Sequence, residues 1–226
     1  MTETTSSTPA AAELAAGRIR EMIFAGSIAQ GSRLREIALT EMLGVSRRTV
    51  REALLLLAEQ RLVVHERHRG AMVRTFSARD VRDLYTVRRT FELEGARNAP
   101  FASEEARIRL TAAFERLREA LHAGESRRTV AADLQFHGAV VGLTGSDRLM
   151  GFYEQMSAEM EMVLVMIRDD EEERGATAEQ LVSEHQVIHD SLMARNVVEA
   201  QRAVLAHIDI YEQLVLEILS EATLAA

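Results

Sequence analysis

Beyond Thr75 the sequence is a succession of amphipathic segments with a helical period, and this pattern limits the fold more than any other feature. Most segments begin at a serine, threonine or asparagine that can cap a helix, and the first three end before Pro100, Gly124 and Gly145. The predicted helices cover residues 77–99, 103–122, 127–143, 147–174, 177–194 and 196–222. Because helices of this length with short connections pack side by side, the sequence predicts an antiparallel all-helical bundle over residues 76–226.

Residues 1–75 have a different organisation, in which helices precede two short β segments. The predicted elements are a helix at Ala11–Ala25, a turn at Ser27–Ser32, helices at Ile37–Leu43 and Arg47–Gln60, and strands at Leu62–Val64 and Ala71–Val73. The strands flank the sequence HERHRG, which indicates a hairpin with a basic tip. This order predicts a winged helix-turn-helix domain over residues 11–75, after a disordered tail at residues 1–10. The chain is therefore expected to be mainly α, with a domain boundary near Phe76.

The composition excludes several other classes of protein. The chain has no cysteine, so disulfides and thiolate metal sites are excluded, and any metal must be held by histidine and carboxylate side chains. Aromatic residues make up only 4% and tryptophan is absent, which argues against a β-sandwich or a propeller. No apolar run approaches the roughly 20 residues that cross a bilayer, and the first residues lack the pattern of a signal peptide. We therefore expect a soluble, cytoplasmic protein with no membrane partner.

The net charge of −8 hides an asymmetry between the two halves. Residues 1–75 contain 11 arginines and 8 acidic residues, whereas residues 76–226 contain 16 arginines and 27 acidic residues. All lysine-type positive charges are absent, so every basic residue other than histidine is arginine, whose planar guanidinium suits phosphates and guanine edges. A coding bias would produce the same usage. The opposite charges of the halves, +3 and −11, indicate two different tasks.

The helix at residues 47–60 has the pattern of a DNA recognition helix. Arg47 and Arg51 are four residues apart and share one face, with Arg48 at its edge, while Val50 and Leu54 lie on the buried side. The other candidate DNA contacts are the hydroxyls of Ser46 and Thr49 and the wing residues Arg67, His68 and Arg69. A helix that is apolar on one side and arginine-rich on the other can enter the major groove. The sequence therefore predicts binding to double-stranded DNA.

One stretch of residues 1–75 resembles the N-terminal domain of the GntR-type bacterial transcription regulators. It runs from Leu34-Arg35-Glu36 through GVSR and VREAL to LV and the glycine of RG. The resemblance implies a dimer that binds short inverted repeats, with Arg47 and Arg51 meeting the bases, and it adds Arg35 to the candidate contacts. Thr49 and Ile37 differ from residues common in the family, so the resemblance leaves the operator sequence open.

Histidine and aspartate residues in the acidic half form a candidate metal site. Asp133 and His137 are spaced four apart on one helix, and His185 and His207 lie on the two last predicted helices. Antiparallel helices can bring these side chains to one interior point. Three imidazoles and one carboxylate suit Zn²⁺, Ni²⁺, Fe²⁺ or Mn²⁺, and four protein ligands leave positions for water or a small acid. By spacing alone, a surface pair at Asp133 and His137 is the commoner arrangement.

A second resemblance covers about residues 78–222. The segments LYTVRRTFE (84–92), DLQFH (133–137), EHQVIHDSL (184–192) and AVLAHI (203–208) resemble the FCD effector domain of FadR-type members of the same family. It implies that Asp133, His137, His185 and His207 bind a divalent metal, with zinc expected in the purified protein. It also implies that Arg88 faces the effector cavity and pairs with a ligand carboxylate; the alternative is an ion pair with Glu92. His189 is assigned to the lining of the effector cavity or to the core.

Together these patterns predict a ligand-responsive transcriptional regulator, a repressor rather than an enzyme. A small organic acid would modulate operator binding, and a homodimer would hold the two reading heads at a fixed separation. One alternative is an HD-type metal-dependent phosphohydrolase that uses His137, His189, Asp190 and Asp209. Another is a DNA-binding adaptor whose helical half only forms the dimer.

Overall fold

The computed structural model describes residues 9–173 and 177–224, and it describes their side chains except at 166–173 and 222–224. The chain divides into two compact units between Thr75 and Phe76, where the sequence predicts the boundary. Most of the predicted disordered tail, residues 1–8, lies outside the described residues. Its last part is helical, because α1 begins at Pro9 rather than at Ala11. Proline is favoured in the first turn of a helix, where its missing N–H costs nothing.

The first unit is the predicted winged helix-turn-helix. Its elements are α1 (Pro9–Phe24), α2 (Glu36–Leu43), α3 (Arg47–Glu59), β1 (Val63–Glu66) and β2 (Gly70–Val73). The strands pair antiparallel, with Val63 opposite Val73, and Arg33 forms an isolated bridge to Met72. Gly44 ends α2 in the left-handed conformation, and the Ser46 side chain accepts a hydrogen bond from the Thr49 N–H at the start of α3. These two caps place α3 directly after α2, as a helix-turn-helix requires.

The second unit is the predicted helical bundle. Its described helices are α4 (Ala78–Asn98), α5 (Glu104–Ala123), α6 (Ser126–Gly142), α7 (Asp147–Glu173), α8 (Ala178–Met193) and α9 (Val197–Leu224). Capping boxes at Ser77 and Thr177 begin α4 and α8, and a 3₁₀ turn over Ala99–Phe101 follows α4 at Pro100. No helix among the described residues is both long enough and apolar enough to cross a membrane.

Helices α4 and α6 approach each other closely at Gly95. A Cβ atom on Gly95 would lie 2.2 Å from the carbonyl oxygen of Val140, so no larger residue fits without displacing the backbone. Gly95 follows Glu92 by three residues and Val140 follows His137 by three, so the same crossing brings Glu92 to His137. This close contact connects α4 to the helix that carries Asp133 and His137.

Candidate functional site

Helices α6, α8 and α9 bring the four predicted metal ligands together. One ligand atom each from Asp133, His137, His185 and His207 can be chosen so that all four lie within 4.8 Å of one another. The three histidines are buried, with 0%, 3% and 6% of their surface exposed. Nε2 of His185 lies 2.9 Å from Oδ1 of Asp133, and Nε2 of His137 lies 3.7 Å from the same atom. The predicted cluster is therefore assembled around one carboxylate.

The charges and polar atoms of this cluster suit a divalent cation. Burial opposes the charge of Asp133, but His137, His185 and Arg88 outweigh it and hold the pKa of Asp133 far below its usual range. Burial lowers the pKa of His137 and His207, which favours the neutral form of both imidazoles. Asp133 Oδ2, His137 Nε2 and His207 Nδ1 are buried and have no hydrogen-bond partner among the described residues. Because unsatisfied buried acceptors are costly, a cation bound by them would remove that cost.

Hydrogen bonds behind the cluster orient two of its histidines. His137 donates from Nδ1 to Glu92 Oε2 at 2.7 Å, and His185 donates from Nδ1 to the carbonyl of Leu181 at 2.8 Å. In each ring the bond to Nδ1 directs Nε2 toward Asp133, the arrangement usual for metal-binding imidazoles. Asp133 outweighs the effect of burial and raises the pKa of His185, so a metal would compete with a proton for this ring.

Glu92 is a functional candidate that the sequence interpretation named only as a possible partner of Arg88. It is fully buried and uses both oxygens, accepting from Arg88 Nε at 2.7 Å through Oε1 and from His137 through Oε2. Although burial opposes its charge, His137 and Arg88 lower the pKa of Glu92. The spacing of four between Arg88 and Glu92 signals their pair, but the contact with His137 depends on how α4 crosses α6.

Arg88 is both paired and available, so the two interpretations offered by the sequence are compatible. Its side chain is 2% exposed, and its Nε binds Glu92. Nη1 and Nη2 are buried and make no hydrogen bond of ordinary geometry among the described residues, and the same holds for the hydroxyl of Tyr85, which nevertheless interacts with the guanidinium at the edge of its reach. Despite burial, Glu92 and Asp133 raise the pKa of Arg88, so the guanidinium is charged. Two free terminal nitrogens match the two oxygens of a carboxylate.

His189 lies apart from the four-residue cluster. Its Nδ1 donates to Asp190 at 2.9 Å, its Nε2 hydrogen-bonds with Thr111 at 3.1 Å, and its ring stacks on Phe114 with centroids 4.8 Å apart. Both ring nitrogens therefore already have partners, and an effector contact at His189 stays a prediction.

The residues required by the hydrolase hypothesis do not come together. His189 and Asp190 pair with each other, whereas Asp209 is exposed and accepts a hydrogen bond from Arg89 at 2.7 Å. Neither His189 nor the two aspartates belong to the cluster around His137. The described residues thus lack the convergent set that an HD site needs.

On the first unit, three of the predicted DNA contacts line a hollow of about 860 Å³ between α2, α3 and the hairpin. Arg35, Arg47 and Arg51 line it, together with Arg33 and His65, which the sequence interpretation did not include. Arg33 reaches this place because its backbone bridges to Met72 on the wing, a contact that no local pattern reveals. Four other predicted contacts are exposed on α3 and at the tip of the hairpin: Arg48, Arg67, His68 and Arg69.

The structure corrects one predicted DNA contact. Thr49 is only 4% exposed, and its hydroxyl lies 2.8 Å from that of Ser46, whose oxygen also accepts from the Thr49 N–H. The hydroxyl of Thr49 thus belongs to the helix cap and is not presented to solvent. We therefore remove Thr49 from the candidate contacts, while Ser46, which is half-buried, keeps its place.

Comparison with known proteins identifies both units. Residues 11–73 match the model of the bacterial regulatory proteins of the gntR family, and residues 83–210 match the FCD domain. The chain belongs to the GntR family. This GntR-family protein is a DNA-binding transcription regulator with an FCD domain, not an enzyme.

Relatives agree with this assignment along most of the chain. The regulator is 31% identical to the HTH-type transcriptional regulator BphR of Paraburkholderia xenovorans, over 85% of this chain and 80% of the relative. It is 27% identical to the HTH-type transcriptional regulator YdhC of Bacillus subtilis, over 84% of each chain. A GntR transcriptional regulator from Rhodococcus sp. RHA1 has a similar crystal structure, with a TM-score of 0.77 at 29% identity, covering 92% of this chain and 98% of that one.

Proposed function

We propose that this GntR-family regulator is a cytoplasmic repressor that senses a small organic acid through a metal-loaded FCD domain. Asp133, His137, His185 and His207 would hold a divalent ion, with zinc expected in the purified protein. The ion would leave coordination positions open, and the carboxylate of the effector would bind there and to Arg88. Effector binding would change the affinity of a homodimer for an inverted-repeat operator.

One observation carries this proposal: a charged, buried arginine keeps two nitrogens unpartnered beside a metal-type cluster. Arg88 Nη1 and Nη2 have no protein partner among the described residues, and Arg88 interacts electrostatically with Asp133. A buried guanidinium with unused donors is costly unless a ligand satisfies it. A carboxylate satisfies both donors at once, whereas a neutral or cationic ligand would leave the charge uncompensated.

The four protein residues have distinct tasks at the proposed centre. Burial lowers the pKa of His137 and His207, which favours the neutral imidazole that a metal ligand needs, whereas Asp133 outweighs burial and raises the pKa of His185, so a metal would compete there with a proton. Asp133 would supply the negative charge of the site, and a bound metal would supply a Lewis acid for the carboxylate of the effector. Glu92 holds the ring of His137 and the guanidinium of Arg88, so it connects the proposed metal site with the proposed effector site.

The DNA half of the proposal uses the basic surface of the first unit. The proposed contacts are Arg35, Ser46, Arg47, Arg48, Arg51, Arg67, His68 and Arg69. A dimer would place two copies of α3 in successive major grooves, which matches an inverted repeat. An effector that binds two states of the dimer with different affinity would shift DNA affinity by about 5- to 150-fold, the usual range of such coupling.

Metal analysis and operator binding test the proposal together. Wild-type protein purified without chelator should contain about one divalent ion per chain, and Asp133→Asn and His207→Ala should lose it. His122→Ala is the matched control, because His122 is exposed at the end of α5 and, within the described part of the chain, hydrogen-bonds the carbonyl of Arg118 alone. The sensor hypothesis would be refuted if the wild-type protein contained no metal and no organic acid of a test panel changed its DNA affinity. The adaptor hypothesis would then account for the DNA binding that remains.

A further inference from the structure

Glu36, the first residue of α2, reaches across to Arg51 on α3. Both carboxylate oxygens of Glu36 lie 2.9 Å from Arg51 Nε, and the two residues are 15 positions apart. The hydrogen bond and the negative charge of Glu36 raise the pKa of Arg51. Both side chains line the hollow between α2, α3 and the hairpin. Both are open to solvent: the side chain of Arg51 is 68% exposed and that of Glu36 is 35% exposed.

The geometry leaves one edge of the Arg51 guanidinium free. Glu36 occupies Nε, and neither terminal nitrogen of Arg51 hydrogen-bonds to any part of the chain that the structure describes. Those two nitrogens are the pair that arginine uses to bind O6 and N7 of guanine together. A carboxylate fixed on Nε therefore restricts rotation of the guanidinium without competing for the base.

Stability does not account for this pair. Solvent-exposed ion pairs contribute little to folding, and a carboxylate on a DNA-binding surface repels the phosphates that provide most of the affinity. Arg48 pairs with Glu52 one turn further along its own helix, as surface residues commonly do. Glu36 instead connects two helices at the point where the recognition face meets the hollow.

We propose that Glu36 is a positioning residue that orients Arg51 for end-on contact with a guanine, so that it increases sequence discrimination and lowers general DNA affinity. The inference rests on the proposed base contact of Arg51 and adds the residue that sets its geometry. Removing the charge of Glu36 should therefore weaken discrimination at one base pair of each half-site, while binding to unrelated DNA stays equal or becomes tighter.

The test begins with selection from a random-sequence duplex library by the wild-type protein. The best enriched duplex, its single-base variants and a shuffled duplex are then titrated with Glu36→Gln, Arg51→Ala and the double variant. Glu36→Gln should reduce discrimination by about five- to tenfold at the base pair where Arg51→Ala also reduces it. In the Arg51→Ala background it should reduce discrimination no further, because Glu36 acts through Arg51.

Glu41→Gln is the control for charge alone. Glu41 lies on the same helix, lines the same hollow and is exposed, whereas the carboxylate that hydrogen-bonds Arg51 among the described residues is that of Glu36. Its removal should affect all duplexes alike. Unchanged discrimination by Glu36→Gln, or tighter operator binding with discrimination intact, would overturn the positioning role. A wild-type protein that enriches no sequence would instead overturn the operator proposal itself, and this inference with it.

Discussion

Replacement of Glu92 by glutamine is the most informative single change in the helical domain. Glu92 is wholly buried, and its two oxygens accept from Arg88 Nε and His137 Nδ1, each at 2.7 Å. Glutamine has the same size but one oxygen and one NH₂ group. It can accept from one of the two donors only, and its NH₂ group then faces the other donor. The buried guanidinium of Arg88 also loses the charge that neutralises it.

The size of the effect follows from burial. Removing one partner of a buried ion pair costs roughly 3–5 kcal/mol, a large part of a total stability of about 5–15 kcal/mol. Loss of a hydrogen bond behind a metal ligand weakens metal binding by about 10- to 100-fold. We therefore expect Glu92→Gln to lower both the free energy of unfolding of the metal-free domain and its affinity for zinc.

Two measurements separate these effects. Urea unfolding of chelator-treated full-length protein gives the stability change, and competition with a chromophoric chelator gives the zinc affinity. Glu94→Gln is the control, because Glu94 carries the same charge on the same helix but is 42% exposed and pairs loosely with Arg97 at 3.5 Å. It also accepts a hydrogen bond from Asn98 at 2.9 Å, which the oxygen of glutamine can accept as well. That variant should differ from the wild type by less than about 0.5 kcal/mol.

A Glu92→Gln variant with wild-type stability and wild-type zinc affinity would refute this role of Glu92. Further support would come from Arg88→Met combined with Glu92→Gln, which should recover part of the lost stability because no unpaired charge stays buried. If the double variant is no more stable than Glu92→Gln, then the unneutralised guanidinium is not the cause of the loss.

Three further predictions concern other parts of the chain. Gly95→Ala should destabilise the domain by at least about 1–3 kcal/mol in urea unfolding, because the new Cβ would meet the Val140 carbonyl; a neutral effect would contradict the close crossing of α4 and α6. Arg51→Ala should weaken operator binding by about 5- to 150-fold in a shift assay, and wild-type binding should weaken steeply with salt, so unchanged affinity or a flat salt dependence would argue against these contacts. Burial lowers the pKa of His137 and His207, so their contribution to stability is complete above about pH 6.5 and is lost as the pH falls below it; His185, whose pKa Asp133 raises despite burial, acts in the opposite direction. Because two of these pKa values are lowered and one is raised, the melting temperature of chelator-treated protein should decrease as the pH is lowered from about 7.5 to 5.5. An increase would show that His185 dominates.

Local features of the fold could be read from the chain itself. Ser46, Ser77 and Thr177 cap the helices that they were expected to begin, because a cap depends on residues within one helical turn. The spacing of Asp133 and His137 likewise determines that they share a face of α6. The convergence with His185 and His207 was expected from the family resemblance, since spacing alone favours a surface pair at Asp133 and His137.

Other contacts depended on the packing of whole elements. Thr49 has the residue type of a DNA contact, yet it is buried under the cap of its own helix. Arg33 reaches the basic hollow through its bridge to Met72, and Glu36 meets Arg51 from another helix. These contacts join residues far apart in the chain, so a local pattern cannot predict them.

The sequence alone determined where the helices lie to within a few residues, which faces are apolar and which residue types are present for metal and DNA, because backbone period and capping act over a few residues. The tertiary structure decided that Glu92 joins Arg88 to His137 and that the two terminal nitrogens of Arg88 are buried without an ordinary hydrogen bond to the residues described. The physical reason is the crossing of α4 and α6 at Gly95, where a missing side chain lets two helices approach and brings their buried charges within hydrogen-bond distance.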